Sequence, residues 1–473
     1  MKLILINPAF NRYGGIKGHG GSAMPLNLCC LAAYIRQLHN DVEIKILDSE
    51  TQNISHEQTV EQVAAFSPEL IGITTNTCVF DSVNELSKLL KTRLPNIPVI
   101  LGGSHVSALP KRSLEESKAD LVARGEGELT LEKVVAQLKE GESDWSKIDG
   151  LAYWDQQGEV RVNPPRSLIE NLDILPFPAR DLVDNRLYIP APTKRVSLGM
   201  NTMISASRGC PHNCGFCGSH TIWGRKIRIR SPESIVMEMK ECVDKYDIRS
   251  FNFADELFTL NKKHVIEICQ LILKENLRIR WVCSARAQNL DLETLKIMKQ
   301  AGCHEISFGI ESGSTKILER IDKGIKLEEA LRVVRLTRKA GIITHASYMF
   351  GYIGETKQTM RETIRFAKKV NTRIAAFFIA SPLPGTRLYQ EALEKGYLRS
   401  NATWQDYSPL SNAESVLELP NLSTAMIRKW HRKALRNYYF RPRYIISRLL
   451  TIRHWYEVVN LFAGLKIFCR IKK

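Results

Sequence analysis

The stretch "ASRGCPHNCGFCGSH", Ala206–His220, places Cys210, Cys214 and Cys217 within eight residues. Thiolates in so short a loop suit a metal, but both zinc and the irons of an iron–sulfur cluster take four ligands. One ligand is therefore missing from this loop, and its source depends on the fold that carries the loop.

The second half of the chain alternates between short apolar runs and helical patterns such as "PESIVMEMKECVDKY", 232–246. Six of the runs predict strands: Met203–Ser207, Ser250–Ala254, Arg280–Ser284, Glu305–Gly309, Thr344–Phe350 and Ala375–Ala380. Six βα steps are too few for a closed eightfold barrel and predict a partial (β/α)6 barrel of the TIM type, with its chemistry at the carboxyl ends of the strands. The cysteine loop follows the first strand and therefore lies where such a barrel places its active site.

The first third of the chain predicts a separate α/β unit. Its short, β-branched runs are typical of buried parallel strands: Leu3–Asn7, Val42–Leu47, Leu70–Thr74, Val99–Leu101 and Leu121–Ala123. Five such units predict a flavodoxin-like or Rossmann-like doubly wound domain, whose ligands bind beyond the carboxyl ends of the strands. The predicted boundaries are 1–145 for this domain, 146–197 for a Pro-rich connector, 198–395 for the partial barrel and 396–473 for a helical, basic C-terminal region.

Composition and cysteine usage indicate a globular protein of several domains. The chain has 473 residues, of which 44% are hydrophobic and 25% charged, and this length exceeds what one core usually serves. Its 11 cysteines are odd in number and scattered, unlike those of a secreted disulfide scaffold. The N-terminal "MKLILINPAF" lacks the apolar core and cleavage site of a signal peptide, and no window holds the ~18 apolar residues of a membrane span. We therefore predict a cytoplasmic location.

Zinc and an iron–sulfur cluster are the alternatives for the cysteine loop. His212 and His220 could complete a zinc site. The later cysteines each fall inside a helix or strand pattern, where a lone Cys acts as a small buried hydrophobic residue: Cys242, Cys269, Cys283, Cys303 and Cys469. Three thiolates without a fourth suit a cluster with one open iron, which we favour.

The segment "CPHNCGFC", 210–217, resembles the CxxxCxxC loop of the radical S-adenosylmethionine (SAM) superfamily, with Phe216 as the aromatic residue before the last cysteine. The resemblance implies a [4Fe–4S] cluster held by Cys210, Cys214 and Cys217, with Phe216 beside bound SAM. It also implies that the amino and carboxylate groups of SAM chelate the remaining iron. The cosubstrate itself would then be the missing ligand.

Motifs after the later strands resemble the SAM contacts of the same superfamily, in the same order. The resemblance implies that Asp255 and Glu256 of "ADELF" receive the SAM ammonium group. It implies that Arg286 of "CSARAQ" pairs with the SAM carboxylate. Glu311 and Ser312 of "FGIESGS" are implied to contact the ribose.

The last two strands end in further motifs typical of the superfamily. The segment "MFGYIGET", 349–356, is a variant of its GxPGE-type turn, with Ile353 where proline is frequent. It implies SAM contacts at Gly351 and Gly354. The segment "SPLPGTRLY", 381–389, follows the sixth strand.

A flavodoxin-like domain ahead of the barrel resembles the cobalamin-binding branch of the superfamily, which includes anaerobic magnesium-protoporphyrin ester cyclases and hopanoid methylases. The segments "MPLNLCCLAAYIR" (24–36), "GGSHVSALP" (102–110) and "ARGEGELTL" (123–131) carry this resemblance. It implies cobalamin as a cofactor, bound by residues of the loops after the strands: Thr75, Asn76, Gly102, Gly103, Ser104, His105, Gly125 and Glu126. Paired glycines at the end of a strand also permit the close approach of a bulky ligand.

The well-known cobalamin signature D-x-H-x-x-G is absent from the chain. Cobalamin is therefore expected without a histidine on its lower face, and a domain that keeps the fold without the cofactor is the alternative. His19 and His105 are candidates to line the site, with a loop or packing role as the alternative for each.

The tail Ser423–Lys473 has 13 Lys and Arg and one acidic residue, Glu457, so it holds most of the net charge of +17. It is either a helical cap on the barrel or a basic amphipathic segment that rests on anionic lipid at the inner face of the membrane. Its "YYFRPRYI" resembles the tails of the cobalamin branch. Nucleic acid is not expected as a partner, because the radical SAM enzymes that methylthiolate tRNA have three cluster cysteines in their front domain. Here Cys29, Cys30 and Cys78 are unsuitably spaced.

Together the resemblances imply a cobalamin-dependent radical SAM enzyme. A 5′-deoxyadenosyl radical from SAM would abstract hydrogen from an unactivated carbon, and methylcobalamin would donate the methyl group. We predict a methyltransferase for a small, apolar substrate such as a lipid, isoprenoid, tetrapyrrole or other secondary metabolite, with flavodoxin or ferredoxin as electron donor. A cyclase or ring-rearranging oxidoreductase would share every motif, and a non-catalytic metal-binding module is a further alternative.

Overall fold

A computed structural model describes residues 1–10, 22–190, 195–197, 199–408, 415–450 and 458. His19 and the tail beyond Leu450, apart from residue 458, lie outside the described residues. Two largely parallel sheets with flanking helices organise the described chain. This arrangement confirms the predicted fold class, a doubly wound α/β domain followed by a partial barrel.

The first sheet has five parallel strands in the order β2-β1-β3-β4-β5. These strands are β1 (Lys2–Asn7), β2 (Glu43–Asp48), β3 (Leu70–Thr74), β4 (Val99–Gly102) and β5 (Leu121–Ala123). Its helices are α1 (Leu26–Leu38), α2 (His56–Phe66), α3 (Phe80–Arg93), α4 (Ser104–Ala108), α5 (Pro110–Glu116) and α6 (Glu128–Glu140). The strand order reverses between β1 and β3, the point where doubly wound sheets open a crevice for ligands.

Alternate residues of these strands enter two separate cores. Leu3 and Leu5 of β1 pack on one face of the sheet, and Ile4 and Ile6 pack on the other. All four side chains are at most 1% exposed. Strands that are buried on both faces need apolar residues at every position, which is why they form continuous apolar runs in the sequence.

Two antiparallel strands extend this sheet beyond the five that the sequence predicted. β6 (Leu151–Trp154) pairs with β5, and β7 (Val160–Val162) pairs with β6. Both lie in 146–197, where the sequence indicated only a Pro-rich connector. The turn between them is held by Asp155, whose carboxylate accepts hydrogen bonds from two backbone N–H groups of the turn at 2.9 Å.

The second sheet has six parallel strands in the order β8-β11-β12-β13-β14-β15. The strands of this half are β8 (Asn201–Ile204), β9 (Ser207–Arg208), β10 (Arg228–Ile229), β11 (Ser250–Phe253), β12 (Arg280–Ala285), β13 (Cys303–Glu311), β14 (Ile343–Phe350) and β15 (Ile374–Ile379). Its helices are α7 (His220–Trp223), α8 (Pro232–Tyr246), α9 (Lys262–Lys274), α10 (Leu292–Gln300), α11 (Thr315–Arg320), α12 (Leu327–Lys339), α13 (Lys357–Val370) and α14 (Arg387–Glu394).

The first barrel strand is shorter than the predicted Met203–Ser207. It ends at Ile204, because the backbone at Ala206 turns away and donates its N–H to Asp255 at 3.0 Å. β9 then pairs with β10 as a separate two-stranded antiparallel sheet. This small sheet brings together the two ends of segment 209–227, which contains the three cysteines.

The helices cover only one face of the second sheet. Phe251, Trp281 and Tyr348 point into the core under the helices and are fully buried. The opposite face carries polar side chains that are partly exposed: Asn252, Ser284, Ser307, His345 and Ser347. Because a parallel sheet normally buries both faces, an uncovered polar face marks a side on which a ligand can bind.

The edge of the second sheet at β15 is covered by α15 (Thr424–Tyr439), which α16 (Pro442–Leu450) follows. The hydroxyl of Tyr439 accepts a hydrogen bond from the N–H of Ala375 at 3.0 Å and donates one to its carbonyl oxygen at 2.9 Å. An uncovered edge strand would be open to pairing with another chain. For α15, the structure therefore favours the helical-cap interpretation of the tail.

A turn after the barrel returns to the first domain. The ring of Trp404 packs edge-on against His105, with centroids 4.6 Å apart, and its indole N–H donates to Glu116 at 3.0 Å. The backbone N–H of Gln405 donates to the carboxylate of Asp81 at 3.2 Å. The C-terminal region therefore contacts both units.

Within the described ranges, no helix combines the length and the hydropathy that a membrane span requires. The cysteines that the structure describes are all free thiols.

Candidate cluster and cofactor site

The cysteine loop is held by backbone contacts with distant parts of the barrel. The N–H of Gly215 donates to the carbonyl of Ile321, and the N–H of Leu388 donates to the carbonyl of Gly215, both at 2.8 Å. A side chain at Gly215 would come within 2.5 Å of the Tyr352 hydroxyl. These contacts hold the loop at Gly215, the residue that directly follows Cys214.

The surroundings of the three thiols fit an iron–sulfur cluster. All three are partly exposed. Burial raises the pKa of Cys210 and of Cys214, whereas Lys323 and Arg286 beside Cys214 act in the opposite direction. The Nε of Arg286 is buried without a hydrogen-bond partner. Accessible thiols beside two cations fit the negative charge of a thiolate-bound cluster, and the unsatisfied N–H fits a carboxylate ligand.

The zinc alternative finds no support in the described residues. Nε2 of His220 lies 3.1 Å from the carbonyl oxygen of Gly385. Nε2 of His212 is buried without a partner.

The two carboxylates of "ADELF" have different surroundings. Both oxygens of Asp255 accept hydrogen bonds from the N–H of Ala206, at 3.0 and 3.2 Å, and one accepts from the Ser207 hydroxyl at 2.5 Å. Asp255 therefore holds the start of the cysteine loop. Glu256 instead faces the cavity described below, and burial raises its pKa to about 7. Of the two predicted ammonium acceptors, Glu256 is the one that faces space for a ligand.

The predicted ribose contacts are also divided in their roles. Glu311 has a φ of 68° at the end of β13 and forms an ion pair with Lys323 at 3.0 Å. Ser312 is fully buried, lies 3.0 Å from the Thr363 hydroxyl and accepts from the N–H of Ser314 at 3.1 Å. Ser312 therefore shapes the turn, and ribose contact by either residue stays a prediction.

The turn after β14 contains a carboxyl group that the sequence analysis did not single out. Gly351 and Gly354 have φ values of 82° and 91°, in the left-handed region that favours glycine. The N–H of Gly351 donates to Glu355 at 2.5 Å, and burial raises the pKa of Glu355 to about 8. The final letters of the "GET" motif were the available signal. Glu355 fixes the turn, and SAM contact at the two glycines stays a prediction.

A cavity of about 390 Å³ lies between the carboxyl ends of the first sheet and the start of the barrel. Its wall on the barrel side includes Arg208, Trp223 and Glu256. Its wall on the other side contains seven of the eight residues predicted to bind cobalamin: Thr75, Asn76, Gly102, Gly103, Ser104, Gly125 and Glu126. The structure therefore brings the predicted cobalamin loops and one predicted SAM contact to the same cavity.

Gly103 is required by the contact between two of these loops. Its φ is 127°, and a Cβ at this position would lie 1.9 Å from the carbonyl oxygen of Thr75. No other residue fits so close to a neighbouring backbone. The paired glycines therefore serve loop packing as well as access to the cavity.

His105 is the predicted cobalamin residue that does not line the cavity. It is 1% exposed and stacks on Phe80, with ring centroids 4.1 Å apart. Its Nδ1 lies 3.4 Å from the Thr77 hydroxyl, and burial lowers its pKa to about 3. The imidazole is thus neutral and packed between aromatic rings, which corresponds to the packing alternative.

Glu126 lines the cavity but is engaged in ion pairs. Its oxygens accept from Arg208 and Arg228 at 2.8 Å, and Arg208 also donates to Glu128 at 2.5 Å. Glu126 was predicted as a cobalamin contact, and its two arginine partners were not predicted. No local pattern could have revealed them, because Arg208 lies 82 residues from Glu126.

Comparisons with known proteins follow this division into two units. A model of the Radical SAM superfamily matches residues 204–367, and a model of the B12 binding domain matches residues 19–135. An uncharacterized methyltransferase of Pyrococcus horikoshii is 34% identical over 470 residues, 98% of each chain. The anaerobic magnesium-protoporphyrin IX monomethyl ester cyclase of Rubrivivax gelatinosus is 29% identical over 401 residues, 84% of this chain and 70% of the cyclase.

A solved structure shares the whole architecture. It is that of TsrM from Kitasatospora setae, a radical SAM methyltransferase with cobalamin and a [4Fe–4S] cluster bound. The TM-score is 0.74 at 19% identity, with 100% of this chain and 99% of TsrM covered. At this identity the likeness concerns the fold alone.

These matches confirm the family and the cofactors that the sequence implied. Membership of the Radical SAM superfamily implies a [4Fe–4S] cluster and SAM. The B12 binding domain implies cobalamin, although the D-x-H-x-x-G signature is absent from the chain. The protein is therefore a radical SAM enzyme. The chain belongs to the radical SAM superfamily, in the branch that has a B12-binding domain.

Proposed function

We propose that this enzyme transfers a methyl group to an unactivated carbon of a small metabolite, in the cavity between its two units. One observation carries the proposal: the loops predicted to bind cobalamin and Glu256 of the barrel line the same cavity. When bound, the cluster with SAM supplies a 5′-deoxyadenosyl radical and cobalamin supplies the methyl group. Both must reach the same substrate carbon, which a single shared cavity permits.

The residues of the chain orient the reactants and exclude water. The close approach at Gly103 keeps the backbone of the first domain at the cavity wall. Ile222 and Trp223 line the barrel side, and the wall as a whole is mainly apolar. Glu256, with a pKa of about 7, can hold or release a proton near neutral pH at this wall. A dry wall protects a reactive radical from side reactions.

We propose a substrate with an apolar reacting part and a hydrogen-bonding group elsewhere. The apolar cavity wall supports the first feature. The uncovered face of the second sheet supports the other, because Ser284, Ser307 and His345 are cross-strand neighbours in one row. Nδ1 of His345 lies 3.4 Å from Glu305, so the row includes a carboxylate. Lipids, isoprenoids and tetrapyrroles with polar substituents combine both features.

We also propose that a flavodoxin or ferredoxin delivers the electron, and that the enzyme is cytoplasmic and contacts the inner face of the membrane. In support of this contact, residues 423–450 include eight Lys and Arg and no acidic residue. Ile446 and Leu450 of α16 are 57% and 81% exposed. Ile446→Asp should reduce co-sedimentation with anionic vesicles, whereas Met237→Asp, at a similarly exposed position of α8, should not. Equal binding by Ile446→Asp and the wild type would contradict the contact.

The central test uses the anaerobically reconstituted holoenzyme, a reductant, and SAM with a deuterated methyl group. Methyl transfer predicts 5′-deoxyadenosine from radical formation, together with labelled methylcobalamin and S-adenosylhomocysteine. Mass spectrometry quantifies all three products. A preparation without reductant is the control for radical formation.

The product pattern separates the alternatives. 5′-Deoxyadenosine without labelled methylcobalamin would favour the cyclase or ring-rearranging alternative, in agreement with the similarity to the Rubrivivax cyclase. A holoenzyme that forms no 5′-deoxyadenosine would contradict the proposed radical chemistry.

A further inference from the structure

Four charged side chains join the two units beside the cysteine loop: Glu126, Glu128, Arg208 and Arg228, here named the Glu–Arg joint. Arg208 donates to both glutamates, and Arg228 donates to both oxygens of Glu126, at distances of 2.5–2.8 Å. Each of the four residues is at most 8% exposed. Two positive and two negative charges therefore neutralise one another out of water.

The joint holds both ends of the segment that carries the cysteines. Arg208 lies on β9 and Arg228 on β10, and they are direct partners in the antiparallel pair. Like charges opposite each other repel, so this pair needs carboxylates beside it. In the first domain, Glu126 provides one from the loop after β5, and Glu128 provides the other from the first residue of α6. The pairing of β9 with β10, which holds the two ends of segment 209–227 together, therefore depends on contact with the first domain.

The same side chains reach the cavity. Glu126, Glu128 and Arg208 line it, and the guanidinium of Arg208 lies 4.8 Å from the ring centre of Trp223, another lining residue. Glu126 also accepts from the backbone N–H of Ile169 at 2.9 Å. The joint thus links the cysteine loop, the cavity wall and the segment between the two units.

We propose that the Glu–Arg joint sets the distance between the iron–sulfur cluster and cobalamin. The inference rests on the proposed function, because it assumes that both groups act on one substrate. The four side chains are positioning residues, since they act through the cysteine loop. Paired charges with defined hydrogen bonds permit one register between two surfaces, and buried ionic groups have such a role in other proteins. A shift of ~1 Å in this distance would slow methyl transfer about 100-fold.

The test measures the distance directly in substrate-free holoenzyme. The reduced cluster and cob(II)alamin are both paramagnetic, so the relaxation enhancement of the cobalamin EPR signal reports their separation. We expect a broader distance distribution in Glu126→Gln, which weakens both arginine contacts, than in Glu128→Gln, which touches only Arg208. Glu128→Asp keeps the charge and should restore a narrower distribution. Iron content should stay at the wild-type level in all three, and cobalamin content should do so in the two Glu128 variants.

Glu238→Gln is the matched control. Glu238 is 1% exposed and accepts from Arg180 and Arg230 at 2.7 and 2.5 Å. Glu238→Gln therefore weakens as many buried arginine contacts as Glu126→Gln does, but Glu238 is not part of the Glu–Arg joint. Its distance distribution should equal that of the wild type. A broadening as large as in Glu126→Gln would indicate general destabilisation and overturn the proposal.

Other outcomes are equally decisive. Wild-type distributions in both Glu126→Gln and Glu128→Gln would overturn the positioning role. If Glu126→Gln does not fold, the comparison of the distance distributions of Glu128→Gln and Glu128→Asp decides whether the joint has the positioning role. The measurement needs no turnover, so a wild type with a defined distance but no methyl transfer would refute the proposed function and leave the joint supported.

Discussion

Helices cover both faces of the first sheet but only one face of the second. In the first sheet, neighbouring residues of β1 enter two different cores. The residues of this domain that face the cavity come from the strands, from the loops that follow them and from α1. In the second sheet, polar side chains such as Asn252 and His345 stand on the uncovered face itself. The same βα unit therefore builds two kinds of ligand surface.

The order of the strands explains this difference. In the first sheet the chain moves from β1 to β2 on one side and then to β3 on the other, so helices lie on both faces. In the second sheet each strand lies beside the preceding one, and right-handed crossovers then place every helix on the same face. A crevice suits a bulky cofactor, whereas an open face suits a substrate that enters and leaves.

The largest expected effect is the loss of the iron–sulfur cluster from the second unit, with the first domain unchanged. Cys214→Ala should abolish cluster binding and 5′-deoxyadenosine formation, because a [4Fe–4S] cluster needs its three thiolates. Cobalamin content should remain at the wild-type level, since the cavity loops of the first domain are unchanged. Iron content, absorbance and product analysis check this result.

Cys242→Ala is the control for this variant. Cys242 is fully buried in α8, so its loss should cost about 1–3 kcal/mol of stability and leave the cluster intact. A Cys214→Ala enzyme that still forms 5′-deoxyadenosine would contradict the ligand assignment.

A substitution at Gly103 should destabilise the first domain and leave the second unit unchanged. In Gly103→Ala, a Cβ 1.9 Å from the Thr75 carbonyl, at a φ of 127°, forces the loops after β3 and β4 apart. We expect a loss of roughly 3–5 kcal/mol in the stability of this domain and a loss of bound cobalamin. The cluster should remain. Cobalamin content and denaturant unfolding measure both effects.

Gly141→Ala provides the matched comparison for Gly103. Gly141 also has a positive φ, 73°, but its Cβ would meet open space, so the cost should be about 1 kcal/mol. Equal effects at Gly103 and Gly141 would show that strain at φ, and not the contact with Thr75, decides the result.

The third prediction concerns pH and the barrel side of the cavity. Burial raises the pKa of Glu256 from 4.5 to about 7, so the folded apoprotein binds this proton more tightly than the unfolded chain. Its contribution to stability is greatest below pH 4.5 and is lost as pH rises to 7, by about 3 kcal/mol. Glu256→Gln should therefore stabilise the apoprotein at pH 7 and flatten its stability profile between these pH values.

Denaturant unfolding across this pH range measures the effect of Glu256→Gln. Glu140→Gln, at an exposed position of α6, should leave the profile unchanged. Parallel profiles for the wild type and Glu256→Gln would mean that this carboxyl is ionised at neutral pH without cost.

The smallest effect concerns the covered edge of the second sheet. Tyr439→Phe removes two hydrogen bonds to Ala375 and should cost about 1–2 kcal/mol. Tyr444→Phe removes one, to the carbonyl of Arg373 at 2.7 Å, and should cost about half as much. Thermal unfolding ranks the two, and the reverse order would show that α15 does not protect this edge.

The elements that sequence predicts well are those with a local, repeated pattern. The strands of both parallel sheets are apolar on the buried side, and the helix predicted at 232–246 is observed with the same bounds. The hairpin of β6 and β7 was not predicted, because two very short strands near clustered prolines have no such pattern. The early end of β8 depends on Asp255, 49 residues away from Ala206.

The roles of the residues in the candidate site were also difficult to predict, because they depend on contacts that are distant in the sequence. Motifs identified which residues come to the cavity, and seven of the eight predicted cobalamin residues do line it. They did not identify what each side chain contacts there: Asp255 and Glu126 are the clearest cases, since hydrogen bonds and ion pairs within the protein occupy both carboxylates. A motif records a residue type, whereas the role of a charged side chain depends on partners brought in by the fold.

The contact of Trp404 with the first domain has a consequence for the order of assembly during synthesis. The first domain leaves the ribosome first, yet Trp404, which covers His105, follows 288 residues after its partner Glu116. At translation rates of ~5–20 residues per second, this delay is roughly 15–60 s. Throughout that interval, the aromatic pair of Phe80 and His105 lacks its cover, so the nascent chain presents a temporary apolar surface to chaperones.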